Sequence, residues 1–250
     1  MRYFLYLSFK GTRYHGWQRQ PGSVSVQEIL EKVLTLKLGE EISVTGAGRT
    51  DTGVHALTYC AHFECTKDLS GNSENLIHRL NRFLPEDIAI ERIVRVHPDA
   101  SARFSAISRT YIYRILRNKD PFNTETGWYV FGDLDIDAMN RAASLLLQFN
   151  DFASFCRTNS DVKTTICRVS EAGWSQSGDI LEFTIRADRF LRNMVRAITG
   201  TMVDIGQGKT TVDEFRAIIE AKDRKLAGQS APARGLFLAG IEYPSDIFEV

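Results

Sequence analysis

The stretch from Ser25 to Phe63 reads SVQEILEKVLTLKLGEEISVTGAGRTDTGVHALTYCAHF and contains a helix, a glycine-rich loop and a strand in succession. Ser25 and Glu28 have the spacing of a capping box, apolar residues three and four apart follow them, and Gly39 ends the helix. Segment 57–63 alternates between apolar and polar residues, as a half-buried strand does. This order predicts a glycine-rich loop that leads directly into a strand.

The same periodicities continue on both sides of this stretch. Segments 2–9 and 88–96 alternate as strands, residues 43–45 lead into the glycine-rich loop as a short strand, and segment 76–83 has helical spacing that Pro85 ends. The first half therefore has the order β-α-β-β-α-β, which is the ferredoxin-like order. The second half is predicted to repeat this order with strands at 109–116, 165–172, 180–187 and 236–243, helices at 136–147 and 190–203, and an inserted helix at 212–222.

These elements predict an α+β fold of two ferredoxin-like halves whose antiparallel strands merge into a central sheet flanked by helices. The predicted halves are residues 1–98, which contain the glycine-rich loop, and residues 99–250. No low-complexity tract or long linker separates them, so we expect the halves to pack as one rigid body. A cleft at their junction is then the expected active site.

The composition is that of an ordinary globular protein. The chain has 250 residues, of which 43% are hydrophobic, so it can bury a substantial core. No apolar stretch approaches the roughly 20 residues that span a bilayer. The apolar start at 3–9 alternates like a strand and lacks a cleavage site for a signal peptide. We therefore predict a cytoplasmic protein without a membrane segment.

The metal-binding residue types are scattered. The four cysteines, at positions 60, 65, 156 and 167, have no C-x-x-C spacing and are predicted to be free and mostly buried. No pair of histidines has the helical spacing of metal ligands beside a carboxylate. We predict no bound metal.

Charge argues against nonspecific binding of a polyanion. The 31 basic and 31 acidic residues give a formal net charge of zero. A nucleic acid would have to meet a local patch, and the arginines do cluster, although such clusters are also common on solvated faces.

The loop from Gly46 to Ala56 reads GAGRTDTGVHA and carries one carboxylate, that of Asp51, between glycines. Glycines allow a positive φ angle and a close approach of the backbone to a ligand. Arg49, two positions away, is expected to lower the pKa of Asp51 and keep it ionised. An ionised aspartate held in this way is a candidate nucleophile.

Two other interpretations of the loop were considered. Aspartates are common in turns, so Asp51 alone is compatible with a purely structural role. Asp51-Thr52-Gly53 also matches the triplet of aspartic proteases, but that chemistry needs two carboxylates that share a proton. This chain has one triplet, and the preceding Arg49 disfavours a shared proton.

The loop resembles the signature of the TruA family of tRNA pseudouridine synthases, usually G-R-T-D-x-G-V-H-A. Thr52 stands where alanine is more usual. The resemblance extends over essentially the whole chain, through the segments Tyr14–Gln20, Val26–Glu28, Leu84–Ile88, Ala102–Ala106, Arg109–Tyr113, Phe190–Arg196 and Gly235–Leu238.

The resemblance implies a role for each of five residues. Asp51 is the nucleophile that converts uridine to pseudouridine, and Arg196 is its ion-pair partner. Arg49 reaches towards the substrate helix and helps hold the displaced nucleotide. Tyr111 stacks on the target base and is a plausible acceptor of the C5 proton, while Leu236 closes the pocket on the base. By spacing alone, Arg196 fits a surface position, and Tyr111 and Leu236 fit the core of a sheet. Arg49 also fits a simple salt bridge within the loop.

The resemblance also implies a substrate and an assembly. Bacterial members act on the anticodon stem-loop of tRNA at positions 38, 39 and 40, need no cofactor or metal, and work as homodimers. The sequence leaves open whether the carboxylate adds at C6, attacks C1′ or forms a glycal. A catalytically silent RNA-binding relative is the second hypothesis, and the intact set of Asp51, Arg49, Arg196 and Tyr111 argues against it.

Overall fold

A computed structural model of the chain describes residues 1–69, 71, 73–158 and 162–248. It shows a mixed α+β fold with a central multi-stranded sheet flanked by helices, which confirms the predicted fold class. The strands are β1 (Arg2–Phe9), β2 (Val44–Gly46), β3 (His55–Glu64), β4 (Ile88–Val96), β5 (Ser108–Leu116), β6 (Trp128–Tyr129), β7 (Val169–Ser177), β8 (Ile180–Ala187) and β9 (Leu236–Glu242). The α-helices are α1 (Val26–Leu38), α2 (Ser73–Asn81), α3 (Ile136–Leu145), α4 (Met194–Gly206) and α5 (Val212–Ala221).

The chain divides into two compact units whose boundaries differ from the predicted halves 1–98 and 99–250. The first unit consists of Met1–Ile107 together with the segment from Phe237 onward, and the second unit is Ser108–Leu236. The last strand belongs to the first unit because β9 pairs in parallel with β3, His55 opposite Phe237 and Ala56 opposite Leu238. A short parallel pairing of this kind cannot be read from local periodicity.

The first unit has the ferredoxin-like strand order that the sequence predicts. Its strands lie in the order β4-β1-β3, all antiparallel, and β2 adds to the outer edge of β3. Two strands share that edge, because β2 pairs with residues 61–63 of β3 and β9 pairs with residues 55–56. Helix α1 buries a stripe of apolar side chains, namely Val26, Leu30, Leu34 and Leu38.

The second unit repeats part of this arrangement. Strands β5, β8 and β7 are antiparallel neighbours in that order, and β6 pairs in parallel with β5. Helix α3 packs against β7 and against α4 and α5. Helix α4 is buried over most of its length, which fits its position inside the unit.

Several element boundaries differ from the sequence prediction. Helix α4 begins at Met194 instead of residue 190, because Asn193 has a left-handed backbone with φ of 67° and cannot lie within a helix. Strand β7 begins at Val169 instead of residue 165. Helix α2 ends at Asn81, so Phe83, which was predicted on the apolar face of this helix, is exposed.

The predicted capping box of α1 is only half formed. The Ser25 hydroxyl accepts a hydrogen bond from the Glu28 amide at 3.3 Å, but the Glu28 carboxylate accepts one from Lys32 at 2.7 Å. A complete capping box occurs instead at the start of α5, between Thr211 and Glu214. Both devices satisfy backbone amides that the first helical turn leaves without partners.

All four cysteines are buried, as the sequence predicts. None of the helices within the described ranges is long and apolar enough to cross a membrane.

In each outer strand, an asparagine on a neighbouring helix forms hydrogen bonds with both the amide and the carbonyl group of one residue. In the first unit, Asn81 at the end of α2 donates to the Ile90 carbonyl and accepts from the Ile90 amide, both at 2.8 Å. In the second unit, Asn140 on α3 bonds in the same way to Trp174, at 3.2 and 2.8 Å. These paired hydrogen bonds cover backbone groups that an edge strand otherwise leaves open.

We expect Asn140→Ala to lower the free energy of unfolding by about 1 to 3 kcal/mol, because it leaves buried backbone groups without partners. Asn81→Ala should cost less, about 0.5 to 1.5 kcal/mol, since Asn81 is exposed whereas Asn140 is half-buried. The exposed Asn75 on α2 provides a matched control, and its replacement by alanine should change stability by less than about 0.5 kcal/mol. Urea titration measures all three, and equal losses would contradict this account.

Candidate active site

The glycine-rich loop joins β2 to β3 and ends in a tight turn around Asp51. The Asp51 carbonyl accepts a hydrogen bond from the Val54 amide at 3.1 Å, and Gly53 within the turn has φ of 79°. A positive φ at this position of a turn favours glycine strongly. The Asp51 side chain is half-buried, whereas Arg49 and Thr52 are exposed.

A buried aromatic pair supports the entrance to this loop. The rings of Trp17 and Tyr59 stack with their centroids 4.1 Å apart. The Tyr59 hydroxyl accepts from the Gly48 amide at 3.4 Å and donates to the Gly48 carbonyl. A Cβ atom on Gly46 would lie 2.2 Å from the Tyr59 hydroxyl and 2.4 Å from the Trp17 Nε1, so only glycine fits.

The segment between β1 and α1 packs directly on the backbone of the same loop. A Cβ atom on Gly16 would lie 2.2 Å from the Thr50 carbonyl oxygen, and one on Gly11 would lie 1.9 Å from the Val54 carbonyl oxygen. Gly16 also has φ of 83°. Two glycines therefore allow backbone to meet backbone on either side of Asp51, which leaves the loop little room to move.

His55, the first residue of β3, has a structural role that the sequence does not reveal. It is buried, its Nδ1 accepts from the Gly11 amide at 2.9 Å, and its ring stacks on Phe237 with centroids 4.7 Å apart. An accepting Nδ1 requires the neutral tautomer with the proton on Nε2. His55 therefore ties the loop to β9 within the first unit.

Tyr111 lies on β5 of the second unit and is half-buried. Its ring meets that of Phe190 edge to face, with centroids 5.0 Å apart. Tyr113, two residues further on the same face, is fully buried and donates its hydroxyl to the Pro232 carbonyl at 2.7 Å. Burial raises the pKa of the Tyr113 phenol far above its usual range, so that group remains a hydrogen-bond donor.

Arg196 lies in the first turn of α4 and is clamped to a neighbouring segment. Its Nε donates to the Ala231 carbonyl at 2.7 Å, and the Ala231 amide donates to the Arg196 carbonyl at 2.9 Å. Helix α4 packs closely on the segment that contains Ala231, since a Cβ atom on Gly200 would lie 1.8 Å from the Gln229 carbonyl oxygen. Ala231 thus holds both the backbone and the side chain of Arg196.

The structure divides the predicted site residues between the two units. Arg49 and Asp51 share one loop of the first unit, whereas Tyr111, Arg196 and the buried Leu236 belong to the second. Residues that hold these groups were missed by the sequence analysis, namely Trp17, Tyr59, His55, Phe190 and Ala231. Phe190 did have a signal, because it opens the predicted segment that contains Arg196.

Many arginines of the predicted clusters are occupied by contacts within the protein. Arg13 pairs with Asp87 and Arg114 pairs with Glu182, both at 2.7 Å, and Arg109 donates to the Asp188 carbonyl at 2.9 Å. Contacts with phosphate would therefore fall to a smaller set of arginines than the clusters indicate.

The described part of the chain contains no group of three or more His, Cys, Asp or Glu side chains that could hold a metal ion.

Comparison with known proteins identifies close relatives. A family model described as tRNA pseudouridine synthase matches residues 6–105 and 142–244, which include Asp51 and Arg196, whereas Tyr111 lies between them. A tRNA pseudouridine synthase A from Parabacteroides distasonis is 49% identical over 249 residues, which are 100% of this chain and 98% of that protein. A relative of the same name from Bacteroides thetaiotaomicron is 50% identical over 250 residues, at 99% and 92% coverage. One from Acetivibrio thermocellus is 38% identical over 241 residues, at 96% and 98% coverage.

Asp87 anchors the segment that packs on the Asp51 loop. Its carboxylate accepts from the Tyr14 hydroxyl at 2.5 Å and from the Arg13 Nε at 2.7 Å, and the Tyr14 carbonyl accepts from the Gly53 amide at 3.4 Å. Burial alone would raise the pKa of Asp87, but the hydrogen bonds from Arg13 and Tyr14 bring it below the ordinary value of 3.8. The ionised carboxylate is therefore the stabilising form.

A carboxyl group whose pKa is lowered by folding stabilises the protein above its ordinary pKa and loses this effect as the pH falls through the folded value. We expect Asp87→Asn to reduce the free energy of unfolding by about 1 to 3 kcal/mol at pH 7. The difference from the unsubstituted protein should shrink below pH of about 4. Denaturant titrations at several pH values measure this, with Asp99→Asn as the control because the Asp99 side chain is 93% exposed. A difference that persists at low pH would contradict the role of the ionised group.

Proposed function

The chain belongs to the tRNA pseudouridine synthase family, and we propose that it isomerises uridines 38, 39 and 40 in the anticodon stem-loop of tRNA, with Asp51 as nucleophile and no cofactor. The observation that carries the proposal is the Asp51 loop, which lies inside the matched residues and is held by contacts that only glycine permits. A structural turn alone does not need its backbone held so closely on both sides of a half-buried aspartate.

The reaction explains why one positioned carboxylate suffices. The bond between N1 and C1′ of uridine breaks, the base turns, and a bond forms between C5 and C1′, while the C5 proton is lost and N1 gains one. No atom or electron is gained or lost overall, so the chemistry needs no oxidant. Addition of the Asp51 carboxylate at C6, its attack on C1′ and a glycal route all require the same group in a fixed position.

Tyr111 has the chemistry of a residue that receives the extruded base. Its aromatic face offers stacking, which contributes about 1 to 3 kcal/mol per base and is comparable to the cost of extruding a nucleotide. The edge-to-face contact with Phe190 restricts rotation of the Tyr111 ring. We propose that the phenol oxygen takes the C5 proton in the last step.

The remaining roles follow the family resemblance. Arg196, whose Nε is clamped by Ala231, is proposed as the cation that pairs with the nucleophile. Arg49, which is exposed, is proposed to hold the displaced nucleotide, and Leu236 to close the pocket on the base. We further propose that the protein acts as a homodimer in the cytoplasm, where tRNA is modified.

Asp51→Asn should abolish catalysis without loss of the fold, because it keeps the shape of the side chain and removes the nucleophile. We expect release of tritium from C5-labelled uridine in tRNA to fall by about 10³-fold or more. Binding of tRNA should stay within about threefold, since no phosphate contact is removed. Mapping pseudouridine in tRNA from cells with and without the protein tests the choice of positions 38 to 40.

Thr52→Ala is the matched control, because Thr52 is the exposed neighbour of Asp51 in the same turn. Its activity should remain within about twofold, as expected for an exposed side chain outside the chemistry. Normal tritium release by Asp51→Asn would show that another group is the nucleophile. Absence of tritium release by the unsubstituted protein would favour the second hypothesis, that the protein binds RNA without catalysis.

Tyr111→Phe separates stacking from proton transfer. If the phenol accepts the C5 proton, the rate of tritium release should fall by about 10²- to 10⁴-fold while tRNA binding is retained. Tyr111→Leu should weaken binding as well, because it removes the stacking surface. Full activity of Tyr111→Phe would exclude the phenol as proton acceptor and leave the stacking role intact.

A further inference from the structure

Phe104 places an aromatic ring in solvent. It lies in the segment 97–107 between β4 and β5, and 81% of its surface is exposed. Exposed apolar area costs about 25 cal/mol per Å² relative to burial, so a flexible loop would fold such a ring inward. Isolated exposed apolar residues are common, and a site therefore needs further support.

The backbone on both sides of Phe104 is tightly held. The Ala102 amide donates to the His62 Nδ1 at 3.1 Å, and the Tyr243 hydroxyl donates to the Ala102 carbonyl at 2.6 Å. The Ser101 hydroxyl accepts from the Phe104 amide at 3.3 Å. The outward direction of Phe104 is thus fixed by the hydrogen bonds of the segment.

Three further hydrogen bonds join the segment to itself and to β1. The Ser105 hydroxyl accepts from the Ser101 amide at 3.0 Å, and the Ser105 amide donates to the Ser101 carbonyl at 3.0 Å. The Arg2 guanidinium donates to the Ala100 carbonyl at 3.0 Å. A ring on such a rigid base loses little entropy when it binds a partner.

A cation accompanies the ring. The Arg103 guanidinium lies 5.2 Å from the centroid of the Phe104 ring, within the range of a cation–π contact. An aromatic face beside a guanidinium is the combination that binds an unpaired nucleotide, since the base stacks on the ring and its phosphate meets the cation.

The segment that carries this ring packs beside the start of the Asp51 loop within the first unit. Ala102 belongs to the same buried hydrophobic cluster as Ala47, which is part of that loop. The Ala102 amide is bonded to His62 near the far end of β3, whereas the turn at Asp51 leads into the beginning of β3 at His55. The exposed ring and the proposed nucleophile therefore belong to one compact unit but lie towards opposite ends of β3.

We propose that Phe104 is a stacking platform for an unpaired nucleotide of the tRNA, with Arg103 on the adjoining phosphate. This inference rests on the proposed function, because it assumes that the ligand is tRNA with a base out of its stack. Such a platform would hold an unpaired base at a second point on the first unit, apart from the Asp51 turn.

The test compares Phe104→Ala, Phe104→Leu and Phe104→Trp in binding to an anticodon stem-loop RNA. We expect alanine and leucine to weaken binding by about 5- to 150-fold, the range for loss of one stacked base, and tryptophan to remain within about twofold. Phe131→Ala is the matched control, because Phe131 is 82% exposed but lies in the second unit. Its affinity should not change.

Fluorescence distinguishes stacking from a protein contact. An RNA that carries 2-aminopurine at each unpaired position in turn should lose fluorescence on binding when the label occupies the stacked position, and Phe104→Ala should restore it. Unchanged affinity and quenching in Phe104→Ala would overturn the inference, as would a leucine variant that binds like the unsubstituted protein. Dissociation of oligomers by Phe104→Ala with unchanged RNA binding would instead identify a protein interface and also overturn it.

Failure of this inference and failure of the proposed function give different results. If the unsubstituted protein releases tritium and Phe104→Ala binds normally, only the stacking role of Phe104 is wrong. If the unsubstituted protein neither binds the RNA nor releases tritium, the proposed function itself is wrong.

Discussion

The close approach of backbone to backbone around residues 46–54 is the constraint on which the rest of the site depends. Gly11 and Gly16 bring one segment onto the carbonyl groups of Val54 and Thr50, at distances that any side chain would block. Gly46 does the same for the Trp17 and Tyr59 rings. The proposed role of Asp51 as nucleophile depends on such rigidity, because a misplacement of about 1 Å can cost a large factor in rate.

The outer edge of β3 shows how the fold produces this constraint. The strand is longer than either of its partners on that edge, so β2 pairs with its far end and β9 pairs with its beginning. The chain between β2 and β3 must turn back where neither pairing is continuous, and the Asp51 loop fills this position. His55 and Phe237 then join the end of the loop to β9. The loop is irregular in backbone, but close contacts with Gly11 and Gly16 hold that backbone, which is the usual setting of a functional loop on a rigid scaffold.

The sequence predicted the elements that depend on local patterns of residues. It did not predict the features that depend on contacts between residues far apart in the chain. Strands β1 and β4 were predicted to the residue, because polar or turn-forming residues bound each apolar segment, although β1 buries five consecutive residues instead of alternate ones. Helix α4 was predicted to begin at residue 190, because nothing local reveals that Asn193 adopts a left-handed backbone. The place of β9 in the first unit and the contacts of Trp17, Tyr59 and Ala231 depend on residues far apart in the chain. For the site, the glycine pattern identified the Asp51 loop, whereas the roles of Tyr111, Arg196 and Leu236 came only from the family resemblance.

The neutral charge of the chain determines how it can hold a polyanion. With 31 basic and 31 acidic residues, a long-range field does not draw RNA to the whole surface, and ion pairs such as Arg13 with Asp87 occupy part of the positive charge. Each phosphate contact that remains contributes a salt-dependent share of affinity, and few such contacts give a shallow dependence on salt. Stacking on exposed rings and a fixed loop geometry depend little on salt and discriminate unpaired from paired bases. For a protein of this composition, we therefore expect shape and accessible bases to contribute more to the selection of RNA than net charge does.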